Sequence, residues 1–557
     1  MNHFGIVSGL CKELHLVENI DKLVVPDPQQ RVTTGQAVVS MILNGLGFSN
    51  RTLYLFPQFL ENKPINLLIS PELEAIDFSD DTLGRTLDRL YHYGCTEFFC
   101  QIASIAASIA DIDKKFGHLD TTTLSVHGEY QSSEDEDAAI YITHGHAKQN
   151  RFDLKQIFLN LLVASDGGVP LFMQALDGNS GDPTTFRRTI TEFRRGLRYN
   201  LQEITYWIAD SAFYNEQTVK EVGSEVCWIS HVPETIKEVK ELLNETALYL
   251  QKMEGSQINP LENGMQNNYS SLPFEMKETG YSYNIHSSTY AGIQQRWLVI
   301  FSKPGYSKVV HTIQNTIDKE FETLSKSKTK LERQEFITST DAINAVDKLQ
   351  KKAKFHSCSI KEVLVTTKFN KRGRPSKTKP ENGVQVFHPQ IFIEKDKKRI
   401  TLETYRRSLF VLATNELLET NLTNQELFTR YKDQQKVERG FRFLKDPLFF
   451  ASSLFLKKPE RIVSLTMIMC LSLLVYTIGE RKLRNVLNQT NETILNQVKK
   501  PTNRPTLRWI FQIFEDVHVI KIETDEKTTY ETKNLRNDAI KTLKLLGKDY
   551  MDTYLLI

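Results

Sequence analysis

One change of rhythm constrains this chain more than any other feature. From about residue 116 the apolar spacing stops being helical and becomes a series of short β-branched runs. "FGHLDTTTLSV" reads as a first strand. "DLKQIFLNLLVAS" is a second, closed by the turn Asp166-Gly167-Gly168, and "VPLFMQALDG" is a third. "DPTTFRRTITEFRRGL" then reads as a helix, with Asp182 as N-cap and Pro183 at the first helical position. "ITYWIAD", "NEQTVKEV" and "EVCWISHV" follow as strand, helix and strand. A hairpin-linked meander followed by crossovers predicts a mixed sheet with helices on its faces.

The order β-β-β-α-β-α-β is that of a ribonuclease H-like core. The expected fold class is α/β: a ribonuclease H-like mixed-sheet catalytic core interrupted by a large insertion domain, with an N-terminal all-helical domain and a helical C-terminal region. The 557 residues divide accordingly. Residues 1–110 are read as an N-terminal helical DNA-binding domain, 111–234 as the first part of the core, and 235–405 as a mixed, β-containing, basic insertion. Residues 406–495 are the second part of the core and 496–557 a C-terminal element. "SLFVLATN" (Ser408–Asn415) is expected as the strand that returns the chain to the core.

Within the first segment, "TTGQAVVSMILNGLGF" and "DFSDDTLGRTLDRLYHYG" each join a polar start to helical apolar spacing and a closing Gly, with Ser79 or Asp80 capping the second. Such helices can build a helix-turn-helix-like DNA reader or a plain bundle. "IVSLTMIMCLSLLVYTI" (Ile462–Ile478) is the most apolar run; at 17 residues, with Ser464, Thr466, Ser472 and Thr477 inside it, it is expected to be a buried core helix, with no membrane as partner. Six cysteines without a C-x-x-C pair, and a start too mixed for a signal peptide, predict free thiols and a cytoplasmic protein.

Asp120 lies within the first strand and Asp210 ends the fourth. A carboxylate in such a place is costly unless it is paired, solvated or metal-bound. In the expected topology these two strands are neighbours, so the two carboxylates meet at one edge. The third carboxylate comes from "YKDQQKVERGFRFLK" (Tyr431–Lys445), read as one helix. With Glu438 at zero, Tyr431 and Arg442 fall at about +20° and +40°, Lys445 and Gln434 at about −20° and −40°, while Val437, Phe441 and Leu444 form an anchoring flank. Three carboxylates without a Cys or His set suit Mg²⁺ or Mn²⁺, and two such ions about 3.5–4 Å apart support phosphoryl transfer. The plain alternative is a strand-end Asp, a turn Asp and a surface Glu. His144 and His146 have no cysteine partner and the wrong spacing for a helical zinc pair, and "SSEDED" reads as a solvated acidic turn.

The formal net charge is only +2, so a nucleic-acid partner has to be argued from local patches. Between Lys348 and Pro380 there are eleven Lys or Arg against one acid, Glu362. Such a run can neutralise several phosphates. It contains Arg372-Gly373-Arg374-Pro375, the pattern of an AT-hook core fitting a narrow minor groove. A solvated loop is the other reading.

These segments resemble the DDE transposases of bacterial insertion sequences, in the group with a Y-R-E-K signature. The likeness rests on "HLDTTTLSVHG", "HGHAKQNRFDLKQIFLNLLVASDGGVPLFMQALDGNSGDPTTF", "WIADSAFYNEQT" and "YKDQQKVERGFRFLK". It implies Asp120, Asp210 and Glu438 as the catalytic, metal-binding triad, holding two Mg²⁺ (or Mn²⁺) ions per active site. Tyr431 and Lys445 match the signature's Tyr and Lys; its Arg falls at Gln434, where Arg442 or Lys436 is the expected substitute. Lys148, Arg372 and Arg374 are further DNA-contact candidates, and Trp297, in the insertion, is either a base-stacking residue or a core tryptophan. The implied activity is cleavage at the element's ends and strand transfer into target DNA. The implied partners are double-stranded DNA (terminal inverted repeats and target) and a second copy of the chain, on the bacterial nucleoid. An inactive DNA-binding relative and a nuclease without strand transfer are the alternatives.

Overall fold

The computed structural model describes the chain apart from residues 49–54, 127–129, 131–139, 146–150, 196–203, 255–273, 277–279, 369–382, 447–455, 457, 525–527 and 557. Two compact units result. The first holds Met1–Ser230, Thr289–Gln294 and Thr414–Ile557; the second holds His231–Ser288 and Gln295–Ala413. The N-terminal helices and the C-terminal element share the first unit with the first four strands.

The first five strands are β1 (Phe116–Val126), β2 (Lys155–Ala164), β3 (Pro170–Leu176), β4 (Tyr206–Ala209) and β5 (Cys227–Val232). Their order is β3-β2-β1-β4-β5. The meander β1-β2-β3 is antiparallel, whereas β4 runs parallel to both β1 and β5. Phe116 lies opposite Tyr206 and His118 opposite Ile208. Asp120 lies two residues beyond this paired stretch on β1, and Asp210 directly follows β4. Asp120 is the only residue between Phe116 and Leu124 that is not buried.

The N-terminal helices form where their caps say they should. Thr33 accepts from the Gln36 N–H while the Gln36 side chain takes the Thr33 N–H, a reciprocal capping box for Thr34–Leu46. Ser79, not Asp80, caps Asp80–Tyr93, which ends at Gly94 with φ 102°. These helices are packed around the apolar run, which is helix Pro459–Gln489. It is long and apolar enough to cross a membrane, yet 89% of its apolar window is buried inside the protein. Near its start Arg461 forks onto Asp88 with two contacts of 2.7 Å, and a Cβ on Gly84 would come within 2.8 Å of that guanidinium. All six cysteines are free thiols.

In the second unit, β6 (Phe274–Glu275), β7 (Tyr281–Ser288), β8 (Gln295–Ser302) and β11 (Leu409–Thr414) follow the order β11-β8-β7-β6. The strand expected at Ser408–Asn415 thus neighbours β8, and the chain passes back to the first unit at Thr414. β9 (His356–Lys368) and β10 (Val384–Lys395) form a separate antiparallel ribbon. Helices Lys303–Arg333 and Ser339–Gln350 cover one part of it through Leu324, Val346, Leu349, Cys358 and Ile391. Of the basic run from Lys348, Lys361 and Lys368 lie in β9, and its AT-hook-like portion with Arg372 and Arg374 lies outside the described residues.

Candidate active site

The segment Tyr431–Lys445 is predicted as one helix; the structure divides it. Helix Asn424–Lys432 stops, Asp433 and Gln434 turn, and helix Gln435–Leu444 begins. Across the turn the bonds run three residues back: Gln434 N–H to the Tyr431 carbonyl at 3.0 Å, Lys436 N–H to the Asp433 carbonyl at 2.8 Å. That tightening means one helical wheel does not extend across the junction. Lys436 holds the turn, pairing with Asp433 at 3.0 Å and donating to the Ser165 carbonyl at 2.7 Å.

Past the turn the anchoring flank behaves as its spacing predicts. Val437, Phe441 and Leu444 are buried, and Glu438 and Arg442 are exposed. Glu438 and Asp120 face a cleft of about 640 Å³. Arg442 and Lys445 line the same cleft, together with Thr121, Thr122 and Phe441. Of the two candidates to stand for the signature Arg, Arg442 thus faces the cleft and Lys436 is engaged in the turn. Gln434 itself is half-buried in that turn and does not line the cleft.

Asp210 directly follows β4, and its Oδ1 accepts the Ala212 N–H at 2.9 Å. Asp120 Oδ1 accepts the Thr121 N–H at 2.7 Å. The two aspartates and Glu438 meet in the field at Tyr431. Burial pushes the Tyr431 hydroxyl well above its ordinary pKa, and the charges of Asp210, Glu438 and Asp120 push it further in the same direction. Among the described residues, no three His, Cys, Asp or Glu side chains are drawn tightly enough together to grip a single ion. The donor set is nonetheless all hard oxygen, which fits Mg²⁺ or Mn²⁺ rather than zinc or copper.

Two expectations find no support at this site. Trp297 belongs to the second unit, on β8; it is fully buried, and its indole N–H donates to Gln295 at 2.9 Å. It occupies the core role that the sequence left open, with no ring face exposed for a base. Lys148 lies outside the described residues, as does His146. Conversely, sequence reasoning missed Asp446, which lines the cleft directly after Lys445, and its ion-pair partner Arg508. Adjacency to Lys445 was the one signal for Asp446, and nothing local marks Arg508.

A mixed α/β sheet with one carboxylate on β1 and another just past the parallel β4, and a cleft that Asp120 shares with Glu438 and Arg442 of helix Gln435–Leu444 and with Lys445, suits an enzyme that handles a phosphate-rich substrate. The comparison with known families specifies the class: the chain belongs to the family described as Transposase DDE domain, which matches residues 112–475. These are polynucleotidyl transferases, DNA-binding enzymes of transposition. Residues 1–104 match a domain of unknown function (DUF4277). No curated protein matches the chain.

Proposed function

We propose that this chain is an active insertion-sequence transposase of the Y-R-E-K group, built on a ribonuclease H-like core. It cleaves DNA at the ends of its element and joins the freed 3′ ends to target DNA. Asp120, Asp210 and Glu438 hold two Mg²⁺ (or Mn²⁺) ions. When bound, the ions supply Lewis-acid activation of the attacking oxygen and stabilise the leaving one. The chain's own residues position the DNA. Arg442 and Lys445 offer two cations on one wall of the cleft to the phosphates flanking the scissile bond. Tyr431, kept protonated by burial and by the three acids, offers a hydroxyl donor to a phosphate oxygen. Two copies, each carrying one DNA end, are the expected assembly, acting on the nucleoid in the cytoplasm.

The observation that supports this most strongly is the one cleft that Asp120 and Glu438 line together with Arg442 and Lys445. Asp120→Asn, Asp210→Asn and Glu438→Gln should each lower Mg²⁺-dependent cleavage of terminal-repeat DNA by at least about a thousandfold while DNA binding persists. Variants that still cut would remove the assignment. Strand transfer of pre-cut ends separates a transposase from a nuclease, because only the former yields joined products.

A further inference from the structure

The C-terminal element reaches the cleft through one ion pair. Arg508, in helix Leu507–Ile513, pairs its guanidinium with the Asp446 carboxylate, 62 residues earlier in the chain. Asp446 lines the cleft beside Asp120 and Glu438, a third carboxylate in its lining. Its side chain is 19% exposed against 43% for Arg508, so the acid loses more water than the base.

The pair is braced from several segments. The guanidinium lies 4.8 Å over the Phe48 ring, and the Arg508 N–H donates to the Tyr476 hydroxyl at 3.1 Å. Tyr476 in turn packs 4.5 Å from Phe443, in the last turn of the Glu438 helix. Phe48 meets the same Phe443 edge-on at 6.0 Å. Moving the guanidinium away from Asp446 would give up its stacking on Phe48.

We propose that Arg508 is a positioning residue that neutralises Asp446. It keeps this carboxylate from drawing divalent cations away from Asp120, Asp210 and Glu438, and from cancelling the attraction of Arg442 and Lys445 for DNA phosphate. The inference rests on the metal-dependent reading above. Removing Arg508 should therefore move two affinities in opposite directions, because one exposed negative charge attracts a cation and repels a polyanion.

The test measures Mn²⁺ binding by electron paramagnetic resonance and binding of a fluorescein-labelled duplex, both on the full chain. Arg508→Ala should bind Mn²⁺ about fivefold more tightly and the duplex about fivefold more weakly. Adding Asp446→Asn should return both to within about twofold of the parent, and Arg508→Lys should stay near it. A purely packing role would weaken both affinities together, and Asp446→Asn would not correct them; that result overturns the proposal. If Arg508→Ala does not fold, Asp446→Asn alone decides: with Arg508 released, Mn²⁺ binding should weaken and duplex binding tighten, and no change in either overturns the proposal. Asp120→Asn and Glu438→Gln must also weaken Mn²⁺ binding. Should they not, the metal-dependent reading itself fails, irrespective of what Arg508 does.

Discussion

Two helices of this protein have the same length, 31 residues, and opposite surroundings. Lys303–Arg333, in the second unit, buries only Ile313, Ile317 and Leu324. Pro459–Gln489, in the first, is buried on every side from Ile462 to Val475. The first is a one-stripe surface helix and the second a central core helix. Polar residues inside the buried helix do not contradict this. Thr466, Ser472 and Thr477 donate their hydroxyls to carbonyls four residues back, at 2.8, 3.0 and 2.8 Å. A hydroxyl that bonds to its own helix needs no water, so it travels into a core at little cost. Helix length is thus a local property, while burial reflects how many neighbours arrive from elsewhere in the chain.

The contrast can be broken by truncation. Leu474→Ala, at a fully buried position of the central helix, should cost about 2–5 kcal/mol in urea unfolding. A value below about 1 kcal/mol would mean that the helix is loosely packed.

A smaller loss is expected in the second unit from Glu320→Ala. The Glu320 carboxylate accepts from the Lys354 and Phe355 N–H groups at 2.6 and 2.8 Å and meets His356 Nδ1 at 2.8 Å. Stranding those partners should cost about 1–3 kcal/mol, read as a shift in the unfolding of this unit. Burial alone would raise the Glu320 pKa, but the hydrogen bonds from Lys354, His356 and Phe355 outweigh it and hold the acid below its ordinary value. A depressed carboxylate contributes stability above its unfolded pKa, near 4.5, and loses it as pH falls through the folded value. The gap between the parent and Glu320→Ala should therefore be full at pH 6 and shrink below about pH 4.5. A gap that stayed constant into acid would show that the carboxylate's charge is not what holds the clip. The smallest effect belongs to Val310→Ala on the exposed helix: the residue is 45% exposed, and the change should fall within about 0.5 kcal/mol.

Much of the frame could be read directly from residue order. The β-branched runs, their turn at Gly167-Gly168 and the cap at Thr33 act over a few residues, so local sequence carries them. The adjacency of β1 and β4 followed from the order of strands and helices. The single helix expected through Tyr431–Lys445 is divided at a turn where Lys436 reaches Asp433 and, just past the end of β2, the Ser165 carbonyl. Only the second of those contacts is long-range, but it was invisible to any periodicity. The same holds for Trp297, whose neighbours on the insertion sheet bury it whatever its motif suggests.

By itself the sequence determined which segments become strand or helix, and which carry acids. Tertiary structure alone decided that Arg442 and not Lys436 faces the cleft, and that Arg508 meets Asp446. The physical reason is range. Caps, turns and apolar periods are written within a turn or a strand, whereas a charge finds its partner only after packing has placed both.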